Sequence, residues 1–100
     1  VTTPLVIKLG GDALASPERI AAEAHRIAGH AARGPVVAVA SARRGVTDRL
    51  LGLADEVDTA ARRLDGSAPP LPEDSAERDR VVATGEVVAA SLLALALNRL

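Results

Sequence analysis

A three-layer α/β fold with a parallel sheet is the class this sequence predicts, and three observations lead there. Two short runs of β-prone residues stand apart in the first forty positions, each followed by glycine or small residues. Between and after them the apolar residues recur at helical spacing rather than alternating. The second β-prone run is apolar throughout, as suits a parallel strand covered on both faces.

Leu5-Val6-Ile7-Lys8-Leu9 reads as the first strand, ended by Gly10-Gly11. Ser16-Pro17-Glu18 is a helix start, with Ser16 as N-cap and Pro17 at the first helical position. Ile20, Ala24, Ile27, Ala28 and Ala31 then share one stripe, and Gly34-Pro35 closes the helix. Val36-Val37-Ala38-Val39-Ala40 is the second strand and completes a βαβ unit. Val46 to Leu64 is a second helix, carrying Leu50, Leu51, Ala54, Val57, Ala61 and Leu64, with Thr47 or Asp48 available as cap. A proline-rich loop follows, and Asp74 with Glu77 forms a capping-box pattern that opens the last helix, whose apolar face is Val81, Val82, Val88, Leu92, Leu95 and Ala96. Two strands make a poor parallel sheet, so the fold is expected to be incomplete, with further strands supplied from elsewhere.

One hundred residues form a single unit, 1–100, of globular composition: 48% hydrophobic and 25% charged. The apolar content is Ala, Val, Leu and Ile, with no Phe, Tyr, Trp, Met or Cys, so the core is built from small branched side chains. A formal net charge of −1 offers no general attraction for nucleic acid or anionic lipid. Without cysteine there is no disulfide framework or thiolate chemistry, and His25 and His30 lack a supporting metal cluster. The start, Val1 to Leu5, reads as neither signal peptide nor membrane span, and the expected location is cytoplasmic.

Three motifs can carry chemistry. Lys8-Leu9-Gly10-Gly11-Asp12-Ala13 ends the first strand: glycines let backbone N–H groups approach phosphate oxygens, and a lysine can neutralise charge on a transferring phosphoryl group. On the residues alone, a plain strand-to-loop turn explains the same pattern. Ser41 to Leu50 follows the second strand, so both loops lie at carboxyl ends of strands, where open α/β sheets place ligands. There Ser41 and Thr47 offer hydroxyls and the helix start offers free N–H groups to a carboxylate, although helix capping would also account for Thr47. Within the last helix, Thr84-Gly85-Glu86 sets a glycine where alanine would be about 1 kcal/mol better, which calls for close approach of a ligand or another backbone. Glu86 could accept an ammonium group, or be a surface charge beside a packing glycine.

Taken together, Lys-Leu-Gly-Gly, then Val-Ala-Ser-Ala-x-x-Gly-Val-Thr-Asp-Arg-Leu-Leu-x-Leu-Ala, then Thr-Gly-Glu-Val-Val-Ala-Ala-Ser-Leu-Leu resemble the aspartokinases of the amino acid kinase superfamily, in order and spacing, from about Pro4 to Leu100. The resemblance implies an amino acid kinase-like fold and transfer of phosphate from ATP, with Mg2+, to the carboxylate of aspartate. It places Lys8, Gly10, Gly11 and Asp12 at the ATP phosphates, with Lys8 catalytic, and Ser41, Gly45, Thr47 and Glu86 at the amino acid. No magnesium ligand falls in these residues.

The departures from that family bear on activity. Asp12 and Ala13 stand where aspartokinases have Thr or Ser, turning a carboxylate toward the phosphates; uridylate kinases of the same superfamily do carry an acid there, followed by Ala and Leu as in Ala13-Leu14. Arg43-Arg44 replaces a small pair and adds two cations beside the substrate loop; they either bind an extra anionic group on an altered substrate or face solvent or a partner, and are read as the latter. The family's later strands, with its catalytic aspartate and adenine-binding segment, have no counterpart here. The isolated chain is therefore expected to be inactive, requiring a complementing nucleotide-binding half or assembling as a homo-oligomer. The alternative is a non-catalytic amino-acid-binding, regulatory or assembly subunit.

Overall fold

The computed structural model describes residues 3–70, 72 and 75–100. The elements run β1 (Leu5–Leu9), α1 (Pro17–Ala31), β2 (Val36–Ala40), α2 (Val46–Leu64) and α3 (Ala76–Leu97). β1 and β2 pair in parallel, in register from Leu5 opposite Val36 to Leu9 opposite Ala40. Because side chains alternate along a strand, Ile7 and Leu9 share a face with Val36, Ala38 and Ala40. α1 and α3 pack on each other and on that face.

Small residues let these layers come close. α1 begins where the Ser16 hydroxyl accepts from the Arg19 N–H at 3.1 Å, and it presents Ile20, Ala24 and Ile27 to the core at helical spacing. α3 brings Ala89 and Leu93 to the same cluster, and the loop after β1 brings Leu14, the largest completely buried side chain. No bulky aromatic separates the layers, so the core depends on contacts between methyl groups at short range.

α2 and α3 form an antiparallel hairpin. Gly85 of α3 lies against Val46 and Leu50 at the start of α2, while Arg78 near the start of α3 pairs with Asp55 at 3.3 Å. The far end of this hairpin extends beyond the sheet, giving dimensions of 60 × 29 × 19 Å and a radius of gyration of 18.0 Å. A compact chain of this length has about 13 Å. At the end of α2, the Asp65 carboxylate accepts from the Ser67 hydroxyl and N–H, at 2.7 and 3.1 Å, which holds it below the ordinary carboxylate value. The contribution of this turn is present above that ordinary range and is lost as pH falls through the depressed value.

Three expectations are corrected. α2 is not capped by Thr47 or Asp48: Gly45 is its N-cap, at φ +80°, with no side-chain cap bond, and Thr47 lies inside the first turn. α3 is capped by Ser75, whose hydroxyl accepts from the Arg78 N–H at 3.4 Å; Asp74 lies outside the described residues. β2 is covered on one face alone, because α1 and α3 pack on the same side of the sheet and α2 packs on α3 instead of on the strands. On the other face Val6, Val37 and Val39 are 62%, 49% and 46% exposed. The fold class stands, with the sheet and one helical layer built. α3 is long and apolar enough, by length and composition, to cross a membrane. Here Gly85, Ala89 and Leu93 are instead buried in packing, while Val87, Val88 and Leu95 remain exposed.

The glycines of the hairpin give a test. A Cβ at Gly85 would lie 3.0 Å from Val46 Cγ1, 3.2 Å from Ala42 Cβ and 3.3 Å from Leu50 Cδ1, whereas one at Gly52 meets nothing within 4 Å. Gly52→Ala is expected to stabilise the chain by up to ~1 kcal/mol through helix propensity, and Gly85→Ala to destabilise it by ~1–2 kcal/mol through overpacking. Urea midpoints of the two variants, moving in opposite directions, are the measurement.

Candidate functional site

The site is built where the two strands end. The ladder continues past the sheet, because the Ser41 N–H donates to Leu9 O at 2.9 Å and the Arg44 N–H to Gly11 O at 3.1 Å. Gly11 makes this approach possible: a Cβ there would sit 2.8 Å from Ala42 O and 3.2 Å from Arg44 N, both rigid backbone atoms. A Cβ at Gly10 would meet nothing within 4 Å. Of the Gly-Gly pair, the second is required by the fold and the first faces open space.

The Arg43-Arg44 pair does not simply face solvent. Arg43 is part-buried and donates from Nε to Leu14 O at 2.8 Å and from NH2 to Ala15 O at 3.1 Å. Arg44 is exposed and approaches the Asp12 carboxylate at 3.5 Å. An exposed pair of this kind contributes at most about 1 kcal/mol to stability. Its electrostatic effect at the site matters more, since it offsets the carboxylate that Asp12 adds to the loop. Arg19 NH1 also donates to Asp12 O at 2.7 Å.

The carbonyls of Leu9, Gly10, Gly11, Asp12, Leu14 and Ala15 therefore each accept a hydrogen bond. Among the described residues, the N–H groups of Gly10, Gly11 and Asp12 donate to nothing. A loop whose carbonyls are engaged at every position from 9 to 15 but Ala13, and whose consecutive amides at 10–12 are free, is suited to anions. Lys8 lies on the uncovered face of the sheet at its carboxyl end, opposite Val39.

The second loop turns into α2 at Gly45, whose positive φ is a sufficient reason for glycine there. The Val46 N–H donates to Arg43 O and the Arg49 N–H to Gly45 O, while those of Thr47 and Asp48 make no hydrogen bond among the described residues. They are the open donors of the helix start. Ser41 is half-buried where the ladder ends, and Thr47 is exposed one turn before Leu51 on the same side of α2. Leu51, Val82, Ala83 and Glu86 line one open depression along the hairpin. Thr47 and Glu86 are thus brought to neighbouring parts of the α2–α3 seam.

Two supports escaped the sequence reading. Leu14, the one large apolar side chain between Gly10 and Ser16, anchors the first loop in the core, and its size there was a usable signal. Arg43 had none: its carbonyl partners lie 29 and 28 residues away.

Comparison with known proteins decides the family. Residues 3–100 match the model described as the amino acid kinase family. The chain belongs to the amino acid kinase family. Among members of that family it is similar to an aspartate kinase of Pseudomonas fluorescens (strain SBW25), 38% identical over 96 residues, covering 95% of this chain and 21% of that protein. An aspartokinase of Rickettsia prowazekii (strain Madrid E) is 37% identical over 95 residues, covering 94% of this chain and 19% of its own length. The crystal structure of aspartate kinase from Synechocystis superposes with a TM-score of 0.76 at 34% identity, over 95% of this chain and 14% of that one. The chain thus spans about a fifth of the length of the curated relatives it matches. The resemblance to aspartokinases and the parallel α/β class both follow from these matches.

The contrast between the paired glycines checks the loop geometry. Gly11→Ala forces apart two backbone segments and is expected to cost ~2 kcal/mol, with faster amide exchange at Arg44, whose N–H bonds to Gly11. Gly10→Ala is expected to stay within about 0.5 kcal/mol of the parent chain. Denaturant titration with residue-resolved exchange measures both.

Proposed function

We propose that this chain supplies the amino-acid-binding part and the first phosphate-binding loop of an ATP-dependent carboxylate phosphotransferase acting on aspartate or a similar amino acid. The observation that carries this reading is the joining of the two strand-end loops at Gly11, which puts a free-amide loop and an open helix start side by side. ATP, when bound, supplies the phosphoryl group, and the residues present fit its phosphates: Lys8 is exposed and Gly10 unobstructed, the N–H groups of Gly10, Gly11 and Asp12 are free, and Arg44 offsets Asp12.

In this reading the Lys8 ammonium neutralises charge that develops on transferring oxygens, an electrostatic role that acts chiefly on kcat. The free N–H groups of Thr47 and Asp48, with the Thr47 and Ser41 hydroxyls, hold the substrate carboxylate, and Gly45 lets the chain turn close beside it. Glu86 accepts from the substrate ammonium. Among the described residues no group of three or more His, Asp or Glu could hold a metal ion, so no step is assigned to magnesium through these side chains. The reading places the protein in the cytoplasm, in amino-acid biosynthesis. It also requires a complementing nucleotide-binding half or further copies of the chain, which the exposed Val6, Val37, Val39 and Leu95 are suited to meet. The non-catalytic alternative rests on Asp12 and Ala13; Arg44 offsets the charge of the first, and the second leaves that position without a hydroxyl.

The chain alone, given ATP, magnesium and aspartate, is expected to release no ADP; turnover on the order of 1 per second or more would overturn the half-site reading. In the complex that restores activity, Lys8→Ala should lower kcat about a hundredfold or more while Glu86→Ala raises the aspartate KM. Unchanged aspartate affinity in both Thr47→Ala and Glu86→Ala would remove the amino-acid site. Sedimentation at several concentrations should show association, and a compact monomer with a sharp melt at the lowest concentration would contradict the partner requirement.

A further inference from the structure

The hydrogen bonds between the two loops all run one way. Residues 41–44 are donors, through the N–H groups of Ser41 and Arg44 and the Arg43 guanidinium, and the carbonyls of Leu9, Gly11, Leu14 and Ala15 are the acceptors. Backbone bonds pin the first half of the first loop, and Arg43 alone of the second loop's side chains reaches the rest. Arg43 also lines a depression with Pro17, Ile20 and Leu92, between the start of α1 and α3. Its head is held in a planar fork on two successive carbonyls, a geometry that a lysine ammonium cannot reproduce.

We propose that Arg43 is a positioning residue: it holds the carbonyls of Leu14 and Ala15 toward the second loop, so that the 10–15 loop keeps the amides of Gly10, Gly11 and Asp12 free for phosphate and moves with the 41–45 loop as one body. Peptide planes are rigid, so fixing the carbonyls at 14 and 15, together with those at 9 and 11, restricts the orientations open to the amides between them. Leu14 holds the same loop from beneath, at 0% exposure, which limits the motion left to the arginine's side. Preorganisation of this kind strengthens binding without new ligand contacts, because less ordering remains to be done when the ligand arrives. The loop fixation stands on the hydrogen bonds alone; its consequence for phosphate rests on the nucleotide reading above.

The test compares the parent chain with Arg43→Lys and Arg43→Ala in two measurements. Amide exchange at Ala13 and Ala15, whose N–H groups bond to Gly10 O and Asp12 O, reports the loop, with the amides of α1 as reference. Calorimetric titration with ATP and, separately, with aspartate reports the ligands. Arg43→Ala is expected to speed exchange at Ala13 and Ala15 about tenfold or more with α1 unchanged. ATP binding should weaken by a similar factor, aspartate binding should change little, and Arg43→Lys should lie between the two. Selective loosening in a chain whose parent alone binds no ATP supports the fixation, and the ATP comparison is then made in the complex that restores activity, where a parent that still binds no ATP removes the nucleotide reading. Unchanged exchange in Arg43→Ala overturns the proposal. So does exchange that rises equally in the loop and α1, or ATP and aspartate affinities that fall together, since either marks a general structural role.

Discussion

The approach of two backbones at Gly11 is the constraint on which the site depends. A parallel pair of strands ordinarily diverges once its ladder ends, and each loop then goes its own way. Here the ladder extends to Arg44, and the space between the loops is too narrow for a single Cβ. The consequence is chemical as well as steric. The carbonyls of Leu9, Gly11, Leu14 and Ala15 accept from donors of residues 41–44, those of Gly10 and Asp12 accept from within the first loop and from Arg19, and a run of free N–H groups remains at 10–12.

Charge at this junction follows the same pattern. Asp12 brings a carboxylate into a loop that offers amides to anions, which would be self-defeating if it stood alone. Arg44 from the second loop lies beside it, and Arg19 from the first turn of α1 holds its backbone carbonyl. Both interactions are at the surface and small in energy. The Arg44 contact sets the local sign of charge and depends on the loops staying together, whereas the Arg19 bond ties the first loop to α1.

Apolar surface is exposed on two sides of the structure. A helix apolar on all sides belongs in an interior. α3 has buried Gly85, Ala89 and Leu93 while leaving Val87, Val88 and Leu95 open, and the outer face of the sheet exposes valines from both strands. These are the sides on which a central strand and a central helix would receive neighbours.

Sequence by itself determined the elements and their order, because strand and helix differ in period and because Ser16-Pro17, Gly34-Pro35 and Gly10-Gly11 punctuate them through local sterics. It also marked both loops as site candidates and Gly85 as a position needing close approach, since a glycine inside a helix carries a propensity cost that asks for a reason. Tertiary structure alone decided which neighbour Gly85 meets, namely the start of α2, and that Gly11 rather than Gly10 is the glycine under steric demand. It alone turned Arg43 from a presumed surface cation into the clamp on Leu14 and Ala15, and left the outer face of β2 bare. The reason is physical: periodicity and capping are set by residues within a few positions of one another. Carbonyl acceptors nearly thirty residues away, and the side of a sheet on which helices gather, are set by packing that no local pattern encodes.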